Sequence, residues 1–264
     1  MSKLAVNLSM LFTEVPLLQR FALAKAHGFE HVEIQFPYEL SVATLSQTLQ
    51  QHQLSLCLIN VPAGDLMQGG CGLAGVPGRE AEFSAALDLA IDYATQLNVP
   101  SVNILAGRQS EGVALDACLD TLYANLRVAS ERLARAQIQP LIELINGINM
   151  PGFLLQTMAQ GQHALDQVQH PALKLQYDCY HMAMMNENLS QCFLDNLEQI
   201  GHIQFADCPG RHQPDTGNID FSDFFQTVIN SPYRGFIAAE YQPLGHTEQS
   251  FTWQSGYFSM PDVR

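Results

Sequence analysis

The sequence predicts an α/β chain folded as a (β/α)8 TIM barrel, in one domain over residues 1–264. Three observations carry that expectation. Runs rich in β-formers alternate eight times with runs whose apolar residues recur at helical spacing. Eight such units in about 250 residues is the usual size of this barrel. The β runs also carry polar residues near their C-terminal ends, and in a parallel barrel those ends converge on one mouth. A doubly wound open sheet competes, but no G-x-G-x-x-G follows the first strand to form its phosphate-binding turn.

The elements follow in order. The first strand is read at Leu4 to Ser9, with Asn7 near its end. Leu17, Leu18, Phe21, Ala22 and Ala24 recur at helical spacing between Val15 and His27, and Gly28 ends that helix. His31 to Phe36 is the second strand, stopped by Pro37, and Ser41 caps a helix reaching His52. Leu54 to Asn60 is the third strand. Six glycines between Gly64 and Gly78 then cost backbone entropy and suggest a segment that covers a site or moves. Arg79 to Leu97 is a long helix, Ser101 to Ala106 the fourth strand, Ala114 to Ala136 a helix, and Gln139 to Ile145 the fifth strand. Thr157 to Gln169 is helical and leads to a sixth strand ending at Asp178. Leu189 to Ile200 is helical and leads to a seventh strand, His202 to Asp207. Phe221 to Asn230 is a short helix before the eighth strand, Phe236 to Tyr241. The tail from Gly245 holds the only tryptophan, Trp253. It is expected to pack across the barrel bottom or against a neighbouring subunit, which leaves a homo-oligomer open.

Composition narrows the class. With 12 Lys and Arg against 26 Asp and Glu, the formal net charge is −14. Nucleic-acid affinity rests on neutralising phosphates with basic side chains, so no nucleic-acid partner is expected. Anionic membrane surfaces are excluded on the same ground. The six cysteines form no C-x-x-C pair and read as reduced thiols of a cytoplasmic protein. Neither a leader peptide nor a membrane span is predicted.

Four polar residues stand out: Glu143, Asp178, Gln204 and Glu240, at spacings of 35, 26 and 36 residues. Each sits in or at the end of one of the last four strands, about one strand plus one helix apart. Buried together, three carboxyls cannot all stay charged unaided. Two like charges ~4 Å apart repel by about 4 kcal/mol even at an effective dielectric of 20. A single divalent cation relieves this, and an all-oxygen set selects a hard ion, Mg2+ or Mn2+. Two adjacent oxygens of a sugar-like substrate would complete six-coordination. Any one of these residues taken alone reads more readily as a satisfied structural acid or amide; four on successive strands do not. His181, three residues after Asp178, is a candidate to bond a substrate oxygen or else an ordinary loop histidine. Arg211 stands with His212 in a loop stiffened by Pro209, Gly210 and Pro214. It either holds a substrate carboxylate or hydroxyl by paired donors or is solvated.

At these residues the chain resembles the hydroxypyruvate isomerase family of the xylose-isomerase-like TIM barrels. The likeness runs through Asn7 to Phe12, Phe36-Pro37-Tyr38, Pro62 to Asp65, Pro77 to Glu80, Pro151-Gly152-Phe153 and Tyr177-Asp178. It continues through His181, Gly201 to Gln204, Pro209 to Pro214 and Glu240-Tyr241. The resemblance implies metal ligation by Glu143, Asp178, Gln204 and Glu240, with Glu143 and Glu240 as the acid/base pair. It implies an isomerase interconverting hydroxypyruvate and tartronate semialdehyde by proton transfer through a metal-stabilised enediolate. A sister group acts on 2-oxo-tetronates and shares the Asn7 to Phe12 and Glu240-Tyr241 features. This chain departs from its relatives at Leu144-Ile145-Asn146, where they usually read Pro-Ile-Asn, and at Gly147, where many carry a larger polar side chain. Two other classes compete: a metal-dependent phosphodiesterase resembling endonuclease IV, and a non-catalytic barrel serving as a binding partner.

Overall fold

A computed structural model describes residues 3–258. Eight parallel strands form a closed barrel in the order β1 to β8, the architecture expected from the alternation. The strands are β1 (Lys3–Asn7), β2 (His31–Glu33), β3 (Ser55–Asn60), β4 (Ser101–Ile104), β5 (Gln139–Glu143), β6 (Lys174–Asp178), β7 (Ile200–Phe205) and β8 (Phe236–Ala239). Between and after them run α1 (Leu17–Ala26), α2 (Val42–His52), α3 (Glu80–Leu97), α4 (Leu115–Arg135) and α5 (Met158–Val168), then α6 (Cys179–Met184), α7 (Leu189–Asp195), α8 (Phe221–Asn230) and α9 (Thr252–Tyr257). Among the described residues no helix is long and apolar enough to cross a membrane.

The chain divides into two compact units, Met1–Cys57 with Tyr177–Arg264, and Leu58–Gln176. In the first unit β1 pairs with β2 and with β8, and β8 with β7. Asn7 lies opposite Glu33, and Gln204 opposite Ala238. Helix α8 shows why the local sequence folds as it does. Asp220 caps it, accepting from the Asp223 amide at 3.0 Å, and Phe221, Phe224, Phe225 and Val228 recur at helical spacing and are buried. The rings of Phe221 and Phe225 lie 5.9 and 5.1 Å from Phe205, the last residue of β7, so this stripe anchors the strand that carries Gln204.

In the second unit β4 pairs with β3 and β5, and Glu143 at the end of β5 lies opposite Gln176 on β6. Here the glycine-rich loop is tied down. The Asp65 carboxylate accepts from the Gly72 amide at 2.9 Å, and Arg79 donates to Asp65 and to the Gly72 carbonyl. A Cβ on Gly75 would stand 2.2 Å from the Leu154 side chain, and one on Gly107, at φ +85°, 2.5 Å from the Cys71 carbonyl. Only glycine permits that approach of the loop to the segments after β4 and β5.

Three departures from the sequence reading matter for the site. The run His31 to Phe36 is a strand only to Glu33, because Pro37 and the turns around it end the ladder early. The chain after Asp178, read as a loop, is helix α6, started by Asp178 itself, whose carboxylate accepts from the Tyr180 amide at 2.8 Å. The described part of the tail does not cross the barrel bottom. Trp253 is buried 5.1 Å from Phe205 and donates its indole N–H to the Tyr241 hydroxyl at 3.1 Å, so it packs beside the C-terminal ends of β7 and β8. Residues 259–264, the rest of that tail, lie outside the described residues.

Candidate active site

All six side chains singled out from the sequence except Arg211 are buried. In the first unit the fold gathers Asp178, His181, Gln204, Arg211 and Glu240. Arg211 sits in the loop after β7 at φ 59°, its backbone held by hydrogen bonds with Asp207 and Gln242. One of its guanidinium nitrogens donates to Glu240 Oε2 at 2.6 Å and to Asp178 Oδ2 at 3.3 Å. Its charge lies over the Tyr180 ring, 5.3 Å from the centroid. His181, on α6, brings Nε2 to 3.6 Å from Asp178 Oδ2. Burial pushes its imidazole down to about 4, so at neutral pH the ring is uncharged and keeps a nitrogen lone pair.

The Arg211 loop has its own organiser. Asp207 is buried at the foot of the loop, and its carboxylate accepts from the backbone amides of Cys208, Thr216, Gly217 and Ile219. Gly217 is required there, since a Cβ would stand 2.5 Å from both Asp207 Oδ1 and the Cys208 carbonyl.

Glu240 follows the last residue of β8. Its Oε1 accepts from Asn7 Nδ2 and Gln35 Nε2, both at 2.9 Å. Burial pushes its carboxyl up to about 7; the Arg211 guanidinium opposes this, and the nearby charges of Asp178 and Glu33 add to it. A carboxyl poised there exchanges a proton readily at neutral pH, as a general acid or base must.

Sequence reasoning missed Glu33, which is fully buried. It accepts from Gln204 Nε2 at 2.9 Å and Asn7 Nδ2 at 3.1 Å, and it pairs closely with His202 Nε2. The available signal was its two-residue offset from Gln35, which puts both on one face of the strand run. In the second unit Glu143 Oε2 accepts from Asn103 Nδ2 at 3.0 Å, and the same amide donates to Asn60 at 3.2 Å. Asn103, itself bonded to Asn60, thus holds the Glu143 carboxylate. Gly147 has a local explanation too. The Gln156 amide fills the space beside it, and a Cβ there would meet Gln156 Oε1 at 2.3 Å.

Two features fit the first unit's donors to a cation. Asp178 and Glu240 are buried carboxyls that converge on one positive charge, at present the Arg211 guanidinium. Gln204 commits its Nε2 to Glu33, and only the oxygen of an amide can ligate an ion. Carboxylate and amide oxygens suit a hard divalent ion.

The model of the xylose isomerase-like TIM barrel matches residues 21–256. The chain belongs to that family. It is 39% identical to a hydroxypyruvate isomerase of Escherichia coli strain K12, over 97% of this chain and 100% of that protein. It is 36% identical to a 2-oxo-tetronate isomerase of Pectobacterium atrosepticum, over 96% and 97%. A solved structure from Brucella melitensis, described as an AP endonuclease of family 2, superposes with a TM-score of 0.93 at 35% identity over 97% and 99%. By its curated relatives the chain is an isomerase of this family.

Proposed function

We propose that the chain interconverts hydroxypyruvate and tartronate semialdehyde with the help of one divalent ion, Mg2+ or Mn2+. The observation that carries the reading is the convergence of two buried carboxyls, Asp178 and Glu240, on a single cation. Asp178, Gln204, Glu240 and Glu143 would hold the ion. Support for adding Glu143 comes from its register with Gln176, two residues before Asp178 on β6. Beside Asp178, His181 brings a further buried donor that suits a metal ion. The ion would supply Lewis acidity toward the substrate carbonyl and its neighbouring hydroxyl.

The chain's own groups move the protons. In the forward direction one proton leaves C3 and one returns to C2 through an enediolate, while the hydroxyl proton passes from O3 to O2. Glu240 and Glu143 are the pair that takes and returns the carbon-bound proton. Neutral His181 hydrogen-bonds a substrate oxygen. Arg211, which stands beside Asp178 and Glu240, would pair with the substrate carboxylate through two donors. The isomerase of 2-oxo-tetronates among the relatives supports a second substrate, larger but of the same chemistry.

The Brucella melitensis structure's description raises a DNA-directed reading. With 26 acidic against 12 basic residues, the chain repels a phosphate backbone. The test is a panel of hydroxy-oxo acids assayed on chelator-stripped protein with and without Mn2+. Hydroxypyruvate is expected to turn over only with Mn2+. Arg211→Ala is expected to lower kcat/KM by about 10²-fold, the loss of a paired charge-assisted contact, without weakening Mn2+ binding. Turnover that survives chelation, or kinetics indifferent to Arg211, would sink the respective assignment.

A further inference from the structure

The geometry points to Glu33 as a positioning residue that fixes which end of the Gln204 amide faces the metal site. The inference rests on the metal reading above and adds a residue to it. Glu33 closes β2 and is fully buried, and none of its contacts runs to solvent. Its two oxygens take three side-chain donors: Gln204 Nε2 and Asn7 Nδ2 on Oε2, and His202 Nε2 on Oε1. Gln204 and His202 stand two apart on β7, so both reach the same face of the strand.

A glutamine amide is nearly symmetric in shape but opposite in charge at its two ends. Packing alone cannot tell the oxygen from the NH2. An acceptor behind the residue can. With Nε2 held by a carboxylate, turning the amide over would set oxygen against oxygen and present the NH2 to a cation. Asn7 is fixed by the same device. Its Oδ1 accepts from the Ser9 amide at 2.9 Å, which aims its Nδ2 at both Glu33 and Glu240 Oε1. Glu33 is thus the common acceptor behind one proposed ligand, and it shares a donor with another. A glutamine at position 33 has a single accepting atom; its own NH2 suits His202 only in the tautomer whose Nε2 accepts, and otherwise faces the NH2 of Gln204 or Asn7. The relief open to Gln204 is to flip its oxygen toward position 33.

The test is Mn2+ titration by calorimetry on four proteins: wild type, Glu33→Gln, Gln204→Glu and the double variant, with thermal unfolding of each. A carboxylate at position 204 has no wrong end to present. The expected result is about a 10- to 100-fold loss of Mn2+ affinity from Glu33→Gln in the wild-type background, the usual effect of removing an outer partner of a ligand. No loss is expected from the same change in the Gln204→Glu background. An equal loss in both backgrounds, or no loss in either, overturns the inference. A wild type that binds no Mn2+ overturns the metal reading instead. Should Glu33→Gln fail to fold, wild-type protein carrying 13C,15N-glutamine decides by NMR. Mg2+ is expected to shift the Gln204 side-chain carbonyl carbon and leave its NH2 protected from exchange. An NH2 that loses protection while the carbon stays still overturns it.

Discussion

Glu240→Gln is expected to lower kcat on hydroxypyruvate by about 10²- to 10⁴-fold, the range for losing a positioned general acid or base. The substitution keeps the shape and one acceptor oxygen, so Asn7 and Gln35 retain a partner, but it removes the proton-exchanging group and the charge that pairs with Arg211. The loss should appear in kcat at saturating substrate and saturating Mn2+, not only in KM. Glu143→Gln should do the same, and if the two act on one proton path as proposed, the double variant should cost little more than the worse single. Steady-state kinetics at several Mn2+ concentrations separates lost chemistry from lost metal. Near-normal kcat for Glu240→Gln at saturating Mn2+ would remove Glu240 from the proton path.

The second large effect is on pH. The Glu240 carboxyl is held up to about 7 in the metal-free fold, above its ordinary value of 4.5. For an acid raised by folding, the unfolded chain ionises first as pH rises. The metal-free fold therefore loses stability between about pH 4.5 and 7 and levels off above. A divalent ion needs the ionised carboxyl, so binding expels the proton that Glu240 holds below about 7. Mn2+ affinity should fall about tenfold for each pH unit below that point, with close to one proton released per ion. His181 adds nothing to this slope, because burial keeps it neutral until about pH 4. Calorimetry at pH 6 in two buffers of different ionisation enthalpy counts the proton. An affinity that is flat between pH 5.5 and 7 would contradict the assignment.

Much of this was legible in the sequence, and what was not has physical reasons. The eightfold alternation sufficed for the barrel because strand and helix periods differ and each βα unit repeats the contrast. Helix α8 lies where its apolar spacing put it, Phe221 to Asn230. Helix α6 was hidden because six residues carry too few turns for a period to show, and its start depends on the Asp178 cap, visible only in three dimensions. Glu33 was hidden for a related reason. On β2 it is one acid in a short run that alternates polar and apolar residues, and its meaning comes from Gln204 and His202, roughly 170 residues away and brought near only by the fold. Gln204 was singled out because it fell into step with three carboxylates. Arg211 was placed in the correct loop, but sequence alone did not show that it would stand as counter-ion to Asp178 and Glu240.

On the proposed mechanism this chain carries a proton, and not a hydride, between neighbouring carbons. The reaction with hydroxypyruvate and Mn2+ run in D2O, with NMR of the product at early turnover, tests it most directly. A side-chain carboxyl that holds the migrating hydrogen exchanges it with solvent, so deuterium at C2 of tartronate semialdehyde is the predicted result, above the rate of an enzyme-free control. Complete retention of the original C3 hydrogen at C2, persisting through many turnovers, would contradict it.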